Sequence, residues 1–376
     1  MRLLVAGDYS PRDRVSKAIQ DGNTAGIFSS LKDIISSSDY AIVNFECAVA
    51  SNTAKPITKF GPNLRCGKDA VRFLKETRFN CVTLANNHFR DFGDVGVEGT
   101  ISALNEYGMD YVGGGKNITD ASRVLFKEIK GERLALINIC ENEFSIATEQ
   151  RGGSAPLDIV DVACRIKKAN KEADFVVVVI HGGHEHFQYP SPRMKKLYRF
   201  FVEEGADTVI NHHQHCYCGY EEYKGKPIFY GLGNFCFDLK GSRSSIWNEG
   251  YIVVLDMTEG KIGYELFPYT QCDEQPSVEL MKETKLQAFW QIIDSISNII
   301  KDDRLLQKKY EDFLKDKLYS VLTPFTPYQT EYARVAAGRH FLPLLINRTK
   351  MAQMLDFVAC ESHHDILTRA MQDYIE

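Results

Sequence analysis

Five short apolar runs in the first part of the chain each end in polar, chemically capable residues, and this pattern constrains the fold more than any other feature. Residues 2–6 lead into Gly7-Asp8, 40–44 into Phe45-Glu46, and 81–84 into Ala85-Asn86-Asn87-His88. Residues 175–180 lead into His181-Gly182-Gly183-His184-Glu185-His186, and 207–210 into Asn211-His212-His213-Gln214-His215. The runs are short and β-branched, which predicts strands. Longer amphipathic segments between them predict helices over 27–36, 68–77, 96–107, 159–169 and 191–204. Further strands are expected at 133–138, 227–230, 251–256 and 261–267, the last two joined as a hairpin around Thr258-Glu259-Gly260. Such alternation is that of an α/β domain, in which ligands bind outside the carboxyl ends of strands.

The 376-residue chain exceeds what one hydrophobic core usually supports, so a large domain with an appendage is expected. After about residue 275 the sequence becomes rich in Lys, Glu, Asp, Leu and Ile at helical spacing. Residues 277–320 and 341–376 read as helices, with a break at 324–327 that contains Pro324 and Pro327. The expected division is a catalytic-type domain over 1–272 and a helical region over 273–376, the latter a docking surface for a protein partner. A formal charge of −5 gives no basic footprint, which excludes nucleic acid as the principal partner. The apolar runs fall far short of the roughly 20 residues of a membrane span. The opening residues read as a strand rather than a leader, so a cytoplasmic protein with reduced cysteines is expected.

The chemistry lies in the five run ends taken together. Alone, Gly7-Asp8 reads as a turn, Asn86-Asn87-His88 as a cap, and His181 as a core histidine. Converging on one sheet edge, they form a mixed oxygen and nitrogen donor set suited to manganese, iron or zinc rather than calcium or magnesium. Two such ions lie about 3.5–4 Å apart and need a bridging carboxylate, for which Glu46 is the natural candidate. Asp8 and one histidine of the 213/215 pair complete one position; Asn87, His181 and the other histidine complete the second. A hydroxide held between the ions is the expected nucleophile, and His88 is placed to protonate a leaving oxygen. Asn44 is expected to add a ligand or to orient Glu46. Lys59, Arg65 and Arg90 read as solvated surface, and Cys216-x-Cys218 is too closely spaced for a zinc knuckle.

In order along the chain, these motifs and the closing Gly231-Leu232-Gly233-Asn234-Phe235 resemble the poly-gamma-glutamate capsule biosynthesis family of CapA type, related to calcineurin-like metallophosphoesterases. The resemblance covers roughly residues 1–270. It implies a four-layer αββα metallophosphoesterase-like sandwich with a dimetal site at the strand ends and an anionic small-molecule or polymer substrate. It also implies that His213 and His215 are the metal-binding pair, with His212 and His215 as the alternative, and that Asn86, His184, Glu185 and the remaining His212 orient ligands or meet substrate. Asn234 is expected to fix its loop. The family usually has Gly at Asn211, Pro at Gln214 and Trp at Gly182. The function so implied is a metal-dependent phosphoesterase linked to capsule or envelope polymers. The alternatives are a non-catalytic accessory protein that keeps the fold and an amide-bond hydrolase.

Overall fold

Side-chain alternation along the first strand already divides the molecule into layers. In a computed structural model of the protein, Leu3 and Val5 of strand Arg2–Tyr9 enter one buried cluster, while Leu4 and Ala6 enter a second on the opposite face. This strand sits in an eight-stranded sheet whose path runs Val278–Leu280, Lys261–Gln271, Glu249–Thr258, Arg2–Tyr9, Tyr40–Phe45, Cys81–Thr83 and Asp110–Val112, with Asn234–Cys236 also paired to Arg2–Tyr9. A six-stranded sheet runs Tyr220–Tyr223, Lys226–Phe229, Thr208–His212, Phe175–His181, Glu132–Cys140 and Leu125–Ile129. The first cluster contains Leu3, Val5, Val253 and Leu255 from the large sheet together with Phe175–Ile180 from the smaller one, so the sheets pack face to face.

Helices cover both outer faces. Val15 and Ile19 of Asp13–Gln20, Phe73 and Leu74 of Asp69–Glu76, and Val97 and Leu104 of Gly93–Glu106 join the second cluster. Val162 and Ile166 of Ile159–Ala169 and Leu197 and Phe201 of Pro192–Glu203 pack on the far side of the six-stranded sheet. The architecture is helix, sheet, sheet, helix, the expected four-layer αββα sandwich with further helices toward the C-terminus.

The structure describes residues 1–322, 326–328, 330–343, 345, 347–359, 363–364, 366–368 and 371. Pro324, and the parts of the expected 341–376 helical stretch at 344, 346, 360–362, 365, 369–370 and 372–376, lie outside the described residues. Compact units run Met1–Gln307 and Lys308–Glu376. Two elements of the stretch read as a helical tail belong to the first unit. Val278–Leu280 is a strand on the edge of the large sheet, and helix Glu283–Lys301 buries Phe289, Ile293, Ile296 and Ile300 in the first cluster. Charge-rich surroundings concealed the strand and, for the helix that the spacing does predict, its burial, because only one face of it is apolar. The helix Asp13–Gln20 and the strands Leu125–Ile129 and Tyr220–Tyr223 were not anticipated from the pattern. No described helix is long and apolar enough to cross a membrane. All nine cysteines among the described residues are free and eight are buried.

Candidate metal centre

Parallel pairing brings the run ends together. Asp8 is in register with Asn44 on one side and Asn234 on the other, Asn44 with Thr83, and His181 with His212. Gly7 permits the approach at this edge, because a Cβ there would lie 1.9 Å from the Gly233 carbonyl oxygen. The Asp8 amide donates to that same carbonyl at 3.1 Å.

Two groups of possible ligands result: Asp8, Glu46 and His215, and Glu46, His181 and His213. Glu46 is common to both. Its Oε1 lies 3.6 Å from His215 Nε2 and 3.9 Å from His181 Nε2, and neither of its buried oxygens has a hydrogen-bond partner. Asp8 Oδ2 lies 3.6 Å from His215 Nδ1, and His213 Nδ1 lies 3.1 Å from His181 Nε2. Asn87 Oδ1 lies beside the second group, 3.1 Å from His181 Nε2. His213 and His215 adopt left-handed backbone, at φ 98° and 55°. Holding non-glycine residues there costs on the order of 1–3 kcal/mol each, and such strain clusters at functional sites.

The electrostatics of the cluster run in one direction. Burial, reinforced by the Asp8 charge, pushes Glu46 well above the usual carboxylate range. Burial also raises Asp8, against His215, which pulls it down. Burial lowers His212 to about 3, and lowers His215 to about 3 against the opposing pull of Asp8. His181 is driven well below its ordinary value by burial and then by His213. Each shift disfavours the charged form of the isolated group, and a cation at the centre would reverse the carboxylate shifts while using the imidazoles in their neutral, ligating form.

Surrounding residues orient this set. Asn44 Nδ2 donates to Asp8 Oδ1 at 2.7 Å, and its Oδ1 accepts from Thr83 Oγ1 at 3.2 Å, so Asn44 acts on Asp8 rather than on Glu46. Asn86 pins its turn, donating to the Phe45 carbonyl at 2.9 Å and accepting from the His88 amide at 3.1 Å. Asn234 Oδ1 contacts His215 Nδ1 at 2.9 Å while its Nδ2 donates to the His215 and Trp247 carbonyls. His212 lies 3.4 Å from Asp8 Oδ1, but both its ring nitrogens are buried without a hydrogen bond. His184 and Glu185 fall outside both ligand groups, and the Glu185 side chain is half exposed.

His88 is buried, with Nδ1 2.6 Å from Asp91 Oδ2. Burial lowers its pKa, opposed by Asp91. The reading of Lys59 as solvated surface is overturned: its side chain is 1% exposed, ion-paired to Asp91, with Nζ 3.1 Å from His88 Nδ1. A buried lysine survives only with such partners. Arg90 is likewise mostly covered, paired with Asp94 and donating to the Gly152 carbonyl, whereas Arg65 stays on the surface. Asp91 and Glu143 were missed. Asp91 had a signal in its i+3 spacing from His88. Glu143, 3.8 Å from His213 Nε2, had none, since it follows a strand end that carries no histidine.

The three departures from the family pattern have structural counterparts. Asn211 Nδ2 donates to Gln214 Oε1 at 2.9 Å, and Gln214 Nε2 donates to the Tyr230 carbonyl at 2.8 Å, so two of the changes form one bonded unit. At Gly182 a Cβ would meet Glu141 Cγ at 2.6 Å. Glu141, which accepts from the Gly183 amide at 3.0 Å and pairs with Arg193, fills that wall.

Fold and site together define a four-layer α/β protein with a buried carboxylate and histidine centre of metal-binding type at its strand ends. The chain belongs to the family described as bacterial capsule synthesis protein PGA_cap, whose profile matches residues 2–239. It is similar to the capsule biosynthesis protein CapA of Bacillus anthracis, 32% identical over 252 residues that make up 65% of this chain and 61% of that protein. It is similar also to the PGA biosynthesis protein CapA of Bacillus subtilis (strain 168), 31% identical over 241 residues, 63% of each chain. The matched region thus spans less than two thirds of either relative. A solved structure described as a novel phosphatase from Mycoplasma pneumoniae aligns at 15% identity with a TM-score of 0.45, covering 73% of this chain and 95% of that one.

Proposed function

We propose that the chain is a metal-dependent hydrolase of phosphoester bonds that holds two divalent transition-metal ions, manganese, iron or zinc. Asp8, Glu46 and His215 hold one; Glu46, Asn87, His181 and His213 hold the other. The observation that carries this reading is Glu46, a buried carboxylate shared by two imidazole groups and left without any hydrogen-bond partner. Burying such a group costs several kcal/mol unless something compensates it, and a cation does so. The 3.6 and 3.9 Å separations support this, being close to those of donor atoms that share an ion at about 2.0–2.2 Å.

When bound, such ions supply Lewis-acid polarisation of a phosphoryl oxygen and lower the pKa of water toward neutrality. The chain's own residues do the rest. With Nδ1 held by Asp91, His88 hands a proton from Nε2 to the leaving oxygen, and Asn44 and Asn234 keep Asp8 and His215 in line. The substrate is an anionic small molecule or polymer, and the names of the relatives support a place in capsule or envelope polymer metabolism. The test is metal analysis of the purified chain with a panel of phosphomonoesters and phosphodiesters in added manganese. Two bound equivalents and metal-dependent hydrolysis are expected; a chain that retains no transition metal and hydrolyses none of the panel sinks the reading.

A further inference from the structure

Asn87 carries an amide whose two edges are opposite in charge, and only the oxygen edge is of use to a cation. Asn87 Oδ1 lies 3.1 Å from His181 Nε2, and Asn87 Nδ2 donates to Glu143 Oε2 at 3.3 Å. A carboxylate oxygen only accepts, so the edge turned to Glu143 is the NH2 edge, and the oxygen is left facing His181. Among the described residues no other acceptor engages that NH2 group. In the ligating form of His181, Nε2 presents a lone pair, and an unrestrained Asn87 would turn its NH2 toward it, which is the wrong edge for a cation.

We infer that Glu143 is a positioning residue of the metal centre, fixing the Asn87 amide with its oxygen toward His181. The inference rests on the two-cation reading above. Glu143 reaches the site from the loop after strand Glu132–Cys140, with a side chain 34% exposed and its other oxygen, Oε1, 3.8 Å from His213 Nε2. Both of its oxygens thus face residues of the second ligand group, Asn87 and His213. The Asp8, Glu46 and His215 group has its own restraints in Asn44 and Asn234. Because Glu143 is partly exposed, its replacement leaves the buried clusters untouched.

The experiment is a calorimetric titration of the full, metal-stripped chain with Mn2+, comparing wild type, Glu143→Ala and Glu143→Gln. Orienting residues of this kind change metal affinity by about 10- to 100-fold. One of the two Mn2+ affinities is expected to fall by about that factor in Glu143→Ala while the other is retained. Glu143→Gln, whose side-chain oxygen still accepts from Asn87, is expected to stay close to wild type. Equal affinities in wild type and Glu143→Ala overturn the inference. So does an equal loss in Glu143→Gln and Glu143→Ala, because the charge rather than the amide orientation would then be at work. A wild-type chain that takes up no Mn2+ overturns the two-cation reading itself, so the two failures are told apart.

Discussion

Glu46 shows how a single residue can be placed against the stability of its own fold. Its carboxyl group is fully buried and unpartnered, so an apolar side chain of similar length should suit the metal-free protein better. Glu46→Met is expected to raise the stability of the metal-stripped chain by about 1–3 kcal/mol in urea denaturation and to abolish the further stabilisation by added Mn2+. In the unaltered chain, removing metal with a chelator should lower stability by about 2.7 kcal/mol if the free ion was present at 100 times its dissociation constant. His88 has a different signature. It is set by Asp91 and Lys59 and belongs to neither ligand group. His88→Ala should leave metal content unchanged and lower turnover by about 10²- to 10⁴-fold, checked by metal analysis beside steady-state kinetics. The bonded Asn211 and Gln214 illustrate the limit of reading residues singly: as separate departures they had no explanation, whereas together they satisfy each other and the Tyr230 carbonyl.

At the scale of elements, the site depends on how the first strand and its following helix are anchored. Arg14, in helix Asp13–Gln20, donates to Asp238 from Nε at 2.9 Å and from a terminal nitrogen at 3.0 Å, and also to the Cys272 and Asp273 carbonyls. The pair ties that helix to the segments after Asn234–Cys236 and Lys261–Gln271. Burial pushes the Asp238 carboxyl up, but the hydrogen bonds from Arg14 outweigh it and the net pKa is lowered. A carboxylate with a depressed folded pKa contributes stability that is present above its unfolded value, about 3.9, and is lost as pH falls through the folded value. Asp238→Asn is therefore expected to cost on the order of 3 kcal/mol at neutral pH, with the gap to wild type narrowing below about pH 4 in pH-resolved denaturation. The fragility of the first strand end is steric instead. Gly7→Ala should destabilise by about 2–4 kcal/mol, since the added carbon meets backbone that cannot yield.

For the whole molecule, the boundary of the compact unit decides what can be removed. Helix Glu283–Lys301 places Phe289, Ile293, Ile296 and Ile300 in the core, at about 1.5–3 kcal/mol for each buried side chain, a sum comparable with the total stability of a domain. A chain ending at 272 is expected not to fold cooperatively, whereas one ending at 307 should keep its thermal transition and metal binding, both read by calorimetry. If the C-terminal helices dock a partner, the 307 truncation should lose that association alone. The α/β class and the residue types of the candidate centre were legible in the sequence, because alternation and polar strand ends are local properties of the chain; the layering came from the family resemblance and the order of strands in each sheet from the structure. Glu46, Asp8 and the histidines declared themselves through those strand ends. The burial of Lys59, the place of Glu143, the packing of helix Glu283–Lys301 into the core and the sorting of His213 toward His181 and His215 toward Asp8 did not, for those follow from contacts between segments far apart in the chain. Local chemistry determined which groups the centre holds; only the packing of one sheet on another decided which of them share a face.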